Sequence, residues 1–495
     1  MVTLVSSVCF IPRGVAAEFP KKYVFNDDEY EKISKLVDLQ VKTAKDENKK
    51  DKNQKYTAEN MAEDEEMIKR YNLQDYDEES YDNQQMNIFT DIKDLVYYQD
   101  EDDPYITLKN SDEERDELRI LPTDDIILAT KTQDDISYLE IYVYEASEDN
   151  LYVHHDIMLP SIPLSLEWFT YNFGVNSGSS GSFAAVGTLD PDIEIWDLDI
   201  IDPFYPVAIL GNSKAKKDTK KGKKINSKYH VDSVLTLSKN KICRNILASG
   251  SADTSVKIWD LESCVCTNSY VHNLDKVSYI EWHPSEATLL LSGSFDHTSM
   301  IYDLRSSAKD ALKWNVKSDI ESTRWDLHDF RYFYVSTSSG MVYLLDARNP
   351  SRNSDYLNPV WTLQAHDGPV SAFDINSFVE GYFVTGSTDK SIKLWNRHGK
   401  DGGPSIIISK NIDVGKVFSV KFSQSKETMF SLVAAGSQGV VRVWDTLKSK
   451  AVKNIYENIV DLSHINKTTN KNIIGPAVTK DIGDGKATLT IGIKK

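Results

Sequence analysis

The sequence predicts an all-β fold, a seven-bladed β-propeller with an acidic, partly disordered N-terminal arm. Three observations predict it. A strand–turn–strand stretch recurs: AAVGTLDPDIEIWDL from Ala184, ILASGSADTSVKIWDL from Ile246, LLLSGSFDHTSMIYDL from Leu289 and FVTGSTDKSIKLWN from Phe383. In each, an Asp stands six residues before an aromatic: Asp190 and Trp196, Asp253 and Trp259, Asp296 and Tyr302, Asp389 and Trp395. A His stands upstream of three of them, 29 residues before Trp259 and Trp395 (His230, His366) and 30 before Tyr302 (His272). The third observation is charge. Of the net −18 over 495 residues, residues 1–120 hold 17 Lys+Arg against 30 Asp+Glu. An acidic arm is attached to a near-neutral body.

Each recurrent stretch has a physical logic. In ILASGSADTSVKIWDL, Val256, Ile258 and Asp260 alternate with Ser255, Lys257 and Trp259, the period of a strand. The Ser-Gly-Ser-Ala-Asp segment before them is turn chemistry, and the Asp253 carboxylate can accept backbone N–H bonds there. The register resembles the WD40 repeat, whose unit is a four-stranded propeller blade. That resemblance implies a hydrogen-bonded set of His, Ser, Asp and Trp within one blade, here His230, Ser249, Asp253 and Trp259. The set reads as structural, because a catalytic triad is not built several times in one chain.

Seven blades follow in order. Ile126–Thr130 with Tyr138–Tyr144 gives the first and Val153–Asp197 the second. His230–Asp260, His272–Asp303, Ile320–Asp346, His366–Asn396 and Val417–Asp445 give the third to the seventh. In blade 5 Leu345 replaces the aromatic; in blade 7 Trp444 is present but Gln438 takes the Asp position. Packing keeps such blades in the ring. The propeller is expected over residues 104–460, with a C-terminal tail at 461–495. Tyr105–Leu108 and Ala451–Tyr456 are the candidate strands for the joining blade.

Outside the repeats the arm divides. Residues 1–45 read as a docking peptide and a helix. Phe10, Pro12, Arg13, Phe19, Pro20 and Tyr23 form the peptide, and Ile33, Leu36 and Val37 lie on an apolar helical stripe. The stripe suits either the protein's own propeller or a partner, and the arm as a whole is expected to be separable from the propeller. Residues 46–103 form an acidic linker too polar to fold alone. Ser111, before Asp112, Glu113 and Glu114, suits an acid-directed kinase.

Between blades 2 and 3 the aromatic spacing widens to 63 residues, from Trp196 to Trp259, against 43 from Trp259 to Tyr302. The excess, at 212–228, holds Lys214, Lys216, Lys217, Lys220, Lys221, Lys223, Lys224 and Lys228 against one acid, Asp218. It reads as a nuclear import signal or a contact to an RNA backbone, with a solubilising insert as the plain alternative. No aromatics interleave, which argues against base stacking.

Four cysteines are too few for a disulfide framework, and the spacing of Cys264 and Cys266 suits neither a redox pair nor a zinc knuckle. Pro12-Arg13 interrupts the apolar N-terminus and no basic n-region precedes it, which argues against a secretory signal. No run of eighteen apolar residues exists, so no membrane partner is expected. The nucleotide-binding, zinc-protease and serine-hydrolase motifs are missing; no enzyme, cofactor or metal is expected.

The non-repeat segments carry a narrower resemblance. Phe10-Ile11-Pro12-Arg13-Gly14, Glu18-Phe19-Pro20, Asp103-Pro104-Tyr105-Ile106, LATKTQDDISYLEIYVYE (Leu128–Glu145) and LYVHHDIMLPSIPLSLEW (Leu151–Trp168) resemble the periodic tryptophan protein 1 family. The resemblance implies a nuclear, nucleolar assembly factor in ribosome biogenesis. It would act on large-subunit (60S) precursor particles and pre-rRNA processing, as a monomer within a complex of assembly factors, ribosomal proteins and precursor rRNA. Two other readings stay open. One is a histone-binding propeller at ribosomal DNA that uses the central channel. The other is a ubiquitin-ligase substrate receptor, for which Tyr302-Asp303-Leu304-Arg305 and Leu345-Asp346-Ala347-Arg348 resemble the receptor box.

Overall fold

A computed structural model of the chain describes residues 3–23, 118–171, 180–211, 226–306, 311–351, 357–399 and 403–456. Alternation of apolar and polar residues becomes antiparallel strands, and the strands form seven sheets arranged as the blades of one propeller. Blades 1 to 6 have four strands each, and blade 7 has three among the described residues. Apart from blade 1, each inner strand is followed directly by its blade's next strand. The inner strands are Pro163–Tyr171, Val234–Lys239, Val277–Trp282, Ile320–Trp325, Ala372–Ile375 and Val417–Phe422.

Blade 1 is different. Its inner strand is Thr3–Ile11, paired antiparallel with Asp125–Gln133 from Ile11↔Ile126 to Thr3↔Gln133. Ile136–Glu145 and Asn150–Leu159 complete the sheet. The propeller therefore begins at residue 3, not 104. The apolar run read as a docking peptide docks on its own chain. Phe10 is 1 % exposed, in a core with Val5, Val8, Tyr142 and, from blade 7, Val433, Ala435 and Val441. Ser6 Oγ donates to Pro163 O of blade 2 at 2.8 Å, and Val8 N donates to Ser419 Oγ of blade 7 at 3.2 Å. The strand thus bonds to both neighbours.

The rest of the expected docking peptide seals the same joint. Arg13 forms a bidentate pair with the buried Asp125, at 2.9 and 2.7 Å, and reaches Glu427 of blade 7 at 2.7 Å. Behind Pro12, Arg13 N donates to Ser425 Oγ. Phe19, just before Pro20, lies under the Arg119 guanidinium, 5.7 Å from ring centre to cation. Tyr23 N donates to Ile201 O, and Lys21–Lys22 pairs in parallel with Ile200–Ile201. Phe10, Arg13, Phe19 and Tyr23 are thus engaged within the chain itself. Ile33, Leu36, Val37 and Tyr105–Leu108 lie outside the described residues.

Two further expectations change. Val153 belongs to the outer strand of blade 1, because Asn150–Leu159 pairs with Ile136–Glu145 and not with blade 2. Ala451–Tyr456 is not a closing strand. Lys450–Ile455 is a short helix, and Val452 and Tyr456 pack into the core shared by blades 6 and 7.

Burying an aliphatic or aromatic side chain contributes about 1.5–3 kcal/mol. Val5, Val8, Phe10 and Ile11, all at 1 % exposure or less, together contribute as much as a typical domain's whole net stability. Removal of residues 1–11 is therefore expected to leave no folded propeller. Phe10→Ala in the full chain should cost about 3–5 kcal/mol, read as a lower urea midpoint. A truncated chain that melts like the full one would show the strand to be dispensable.

Candidate functional site: two opposed faces and a charged channel

The His–Ser–Asp–Trp sets are built as the register implies in blades 3 and 6. Trp259 Nε1 donates to Ser249 Oγ at 2.8 Å, Ser249 bonds His230 Nε2 at 2.6 Å, and His230 Nδ1 bonds Asp253 at 3.0 Å. In blade 6 the chain runs Trp395, Thr385, His366, Asp389, with each link at 2.8 or 2.9 Å. One neutral tautomer satisfies every link: Nδ1–H donates to the carboxylate and Nε2 accepts from the hydroxyl. Burial lowers the His230 pKa, outweighing the raising effect of Asp253. For Asp253 itself burial would raise the carboxyl, but bonds to His230 and Ser255 hold it well below the usual range. His230 is 1 % exposed, so the set is an internal brace with no access for a substrate.

The spacing of 30 in blade 4 proves meaningful. Asn273, one residue on, occupies the histidine's register and donates to Tyr302 OH at 3.3 Å. His272 instead stacks on Tyr302, with ring centroids 5.8 Å apart and a buried Nε2 that has no partner. Asp296 still serves the turn, accepting from Leu274 N and Thr298 N. Blade 2 departs further. Trp196 Nε1 donates to Glu194, and Asp190 N donates to Thr188 Oγ1. Trp444, with Gln438 in place of the turn Asp, carries the Lys410 ammonium 4.9 Å from its ring centre.

The turn aspartates also govern backbone conformation. The residue after each, Thr254, His297 and Lys390, has a positive φ of 65–71°. The Asp carboxylate accepts from the N–H two residues on, of Ser255, Thr298 or Ser391, and offsets the strain of that region. Blades 5 and 7 lack the Asp, and the same position is Gly340 or Gly439, at φ 82° and 69°. That is how a degenerate blade keeps its turn.

Charges missed in the sequence meet at one end of the central channel. Glu167, Lys239, Glu281, Arg324, Asp374 and Lys421 come from six different inner strands and line one cavity of about 270 Å³, with Cys9 of the N-terminal strand. Their signs alternate around the ring. Arg324 pairs with Glu281 and Asp374, both at 2.9 Å, while Lys239 lies 3.9 Å from Glu167 and Lys421 3.9 Å from Asp374. Glu281 and Asp374 also accept the backbone N–H of Trp325 and Phe422 on the next blade. Burial pushes Glu167 and Asp374 up and Lys239 down, so each charge is held by its neighbours against desolvation. Burial also pushes the Cys9 thiol up to about 12, an inert thiol. The available signal was a lone charge between apolar residues near the end of an inner strand, as in Ile280-Glu281-Trp282 and Val420-Lys421-Phe422.

The strand order places the points where the two charged excursions leave the propeller on opposite faces. Within a blade, the first–second and third–fourth strand connections lie on one face. The second–third connection and the link to the next blade lie on the other. The acidic excursion, residues 24–117, leaves between the first and second strands of blade 1. It holds 13 Lys+Arg and 29 Asp+Glu, nearly the whole net charge. Its two ends stay together, with Ile120 N donating to Glu18 O and Arg119 pairing with Glu18. The lysine excursion links the outer strand of blade 2, Ala208–Leu210, to the inner strand of blade 3. Lys228 is exposed at its base; Lys214, Lys216, Lys217, Lys220, Lys221, Lys223 and Lys224 lie outside the described residues. A lysine from outside the excursion anchors that base: the buried Lys257 ammonium donates to Asn226 O and Ser269 Oγ.

The two receptor-like boxes have a local role. Arg305 and Arg348 are exposed, and each folds back on its own turn carboxylate, Asp303 at 2.8 Å and Asp346 at 2.7 Å. No helix among the described residues is long and apolar enough to cross a membrane.

Known proteins resemble this chain along nearly its whole length. The family described as "WD domain, G-beta repeat" matches residues 223–260, 264–303 and 357–396. Periodic tryptophan protein 1 of Saccharomyces cerevisiae is 35 % identical, over 92 % of this chain and 90 % of its own. The chain belongs to the periodic tryptophan protein 1 family. The Drosophila melanogaster homolog is 30 % identical, over 81 % of this chain and 85 % of its own. An uncharacterized WD repeat-containing protein of Schizosaccharomyces pombe is 44 % identical, over 93 % of this chain and 92 % of its own. This is a WD40 scaffold of that family, of a type suited to protein–protein interaction.

Three outcomes follow. Asp253→Ala should cost about 1–3 kcal/mol by unpairing turn N–H groups, and Asp296→Ala less, since no histidine bond is lost; denaturant midpoints compare them. Arg324→Ala strands two carboxylates in the channel and should cost about 3–5 kcal/mol. Removing Asp374 as well should recover part of that loss. The third concerns pH. Burial, then His154, pushes His155 down to about 4, and burial lowers His230 and His366 too. The unfolded chain thus binds more protons below about pH 6.5, so stability should fall as pH drops from there toward 4. Substituting His155 by Asn should flatten that part of the melting profile.

Proposed function

We propose that this protein is a non-enzymatic scaffold that joins RNA to protein within a nucleolar precursor of the large ribosomal subunit, and so takes part in pre-rRNA processing. The opposed charges carry the reading. The lysine excursion has an anion as its natural partner, and a phosphate backbone supplies one at any sequence. The acidic excursion repels that backbone and suits basic proteins, among them ribosomal proteins and other assembly factors. Excursions that leave from opposite faces keep the two partners from competing. Nuclear import is the other use of the same lysines, and both uses call for a nuclear location.

The channel argues against a histone-tail reader. Such a reader needs free carboxylates for a cationic tail, whereas Glu167, Glu281 and Asp374 already face Lys239, Arg324 and Lys421. The receptor reading is weakened by the internal pairing of Arg305 and Arg348.

Deleting residues 214–224 from the full chain should leave the melting temperature unchanged and weaken RNA association. The slope of log affinity against log salt should become shallower by about 0.7 for each single-strand phosphate no longer neutralised by a lysine. Purification at low salt should bring precursor RNA and ribosomal proteins with the intact chain. Nucleosomes or a cullin in their place, or an unchanged salt slope after the deletion, would refute the scaffold reading.

A further inference from the structure

Blade 7 is incomplete. Among the described residues its third strand, Val441–Asp445, pairs with Ser431–Gly436 and has no partner on its outer side, where blades 1 to 6 carry a fourth strand. Burial differs accordingly. In blade 3, Lys257 and Ile258 are 0 % and 3 % exposed beneath the outer strand; at the same register in blade 7, Arg442 is exposed and Val443 half-buried. An open edge leaves a row of unpaired N–H and C=O groups, a template for another strand. The short helix does not fill it. Tyr456, at its end, packs on Tyr382 and Phe430, with centroids at 5.0 and 6.1 Å, toward blade 6.

The occupant is argued from where the chain goes next. Tyr456 sits beside blade 7, and 39 residues follow it. Within them, Ala487–Ile493 (ATLTIGI) alternates strictly: Leu489, Ile491 and Ile493 on one side, Thr488, Thr490 and Gly492 on the other. The tail's other apolar stretches are shorter or broken: Asp461 and Ser463 cut Ile459, Val460 and Leu462 short, and Pro476 interrupts Ile473–Val478. The stretch resembles in kind the outer strand of blade 6, SIIISK at Ser405–Lys410. In the register of blade 6, where the outer strand begins opposite Asn396, antiparallel pairing would set Lys486 opposite Asp445. The 30 residues between Tyr456 and Ala487 are ample to reach an edge of five residues, about 17 Å long.

We propose that Ala487–Ile493 adds to the open edge as the fourth strand of blade 7. The strand would cover Val441 and Val443, which pack with Tyr142 and Tyr144 of blade 1 at the joint between the two ends of the chain. The C-terminal segment then clasps the ring from outside, as the N-terminal strand does from inside.

The test compares three full-length proteins by hydrogen exchange and thermal melting: the parent, Ile491→Pro, and Ile474→Pro as a tail control. Ile491→Pro removes a ladder N–H and cannot enter a central position of a sheet. The outward amides of 441–445 are expected to exchange about tenfold faster in that variant, with a lower melting temperature, while Ile474→Pro matches the parent. Equal exchange in all three proteins overturns the proposal. So does edge protection that rises with protein concentration, which would assign the strand to a second copy.

Discussion

The structure depends on one packing contact, the insertion of Thr3–Ile11 between blades 7 and 2. A propeller is a ring of sheets that each bury two faces, so a missing inner strand exposes the faces of both neighbours. Here the first residues of the chain supply that strand. The apolar core of Val5, Val8 and Phe10 against Val433, Ala435 and Val441 closes the circle. Arg13 then ties blade 1 to blade 7 through Asp125 and Glu427. The Arg13–Asp125 pair is bidentate and half-shielded, a geometry in which a charge pair contributes more than an exposed one.

Closure by the first strand explains how a long acidic excursion is tolerated. The entropy of closing a loop grows only with the logarithm of its length. The strand and its partner Asp125–Gln133 are held by nearly all their residues, so the chain between them can be long without loosening the blade. The lysine excursion follows the same logic between two finished blades. Both excursions leave from connections, where no ladder hydrogen bond is broken.

Inside the ring, polar chemistry is used for precision. The buried His–hydroxyl–carboxylate chains of blades 3 and 6 satisfy every donor and acceptor they bury. The six alternating charges of the channel face one another on a larger scale, Arg324 between Glu281 and Asp374, although its Nε is buried without a partner. An isolated charge there would be costly, and six in alternation lower one another's energy. This arrangement also bears on function. A channel already neutralised from within directs partners toward the rims and excursions, where the net charge lies.

Much of the architecture was legible in the sequence, because a blade is a local object. Asp-to-aromatic spacing, period-two alternation and turn residues all lie within about 40 residues, so seven blades, their order and the polar sets of blades 3 and 6 could be read directly. The extra residue between His272 and Tyr302 stands in the sequence, but the register alone still makes His272 a member of the set, and only the structure puts Asn273 in its place. The closing strand could not be read this way. Phe10 and Ile127 pair across more than a hundred residues, and an apolar strand seeking its own blade looks the same as one seeking a partner. The charged channel was hidden for the same reason, since each of its members is a single ordinary charge until six strands converge. The sequence by itself determined the blades and the uneven distribution of charge. Only the tertiary structure decided how the ring closes, which charges meet, and that the acidic and basic excursions leave from opposite faces, since those depend on contacts between residues far apart in the chain.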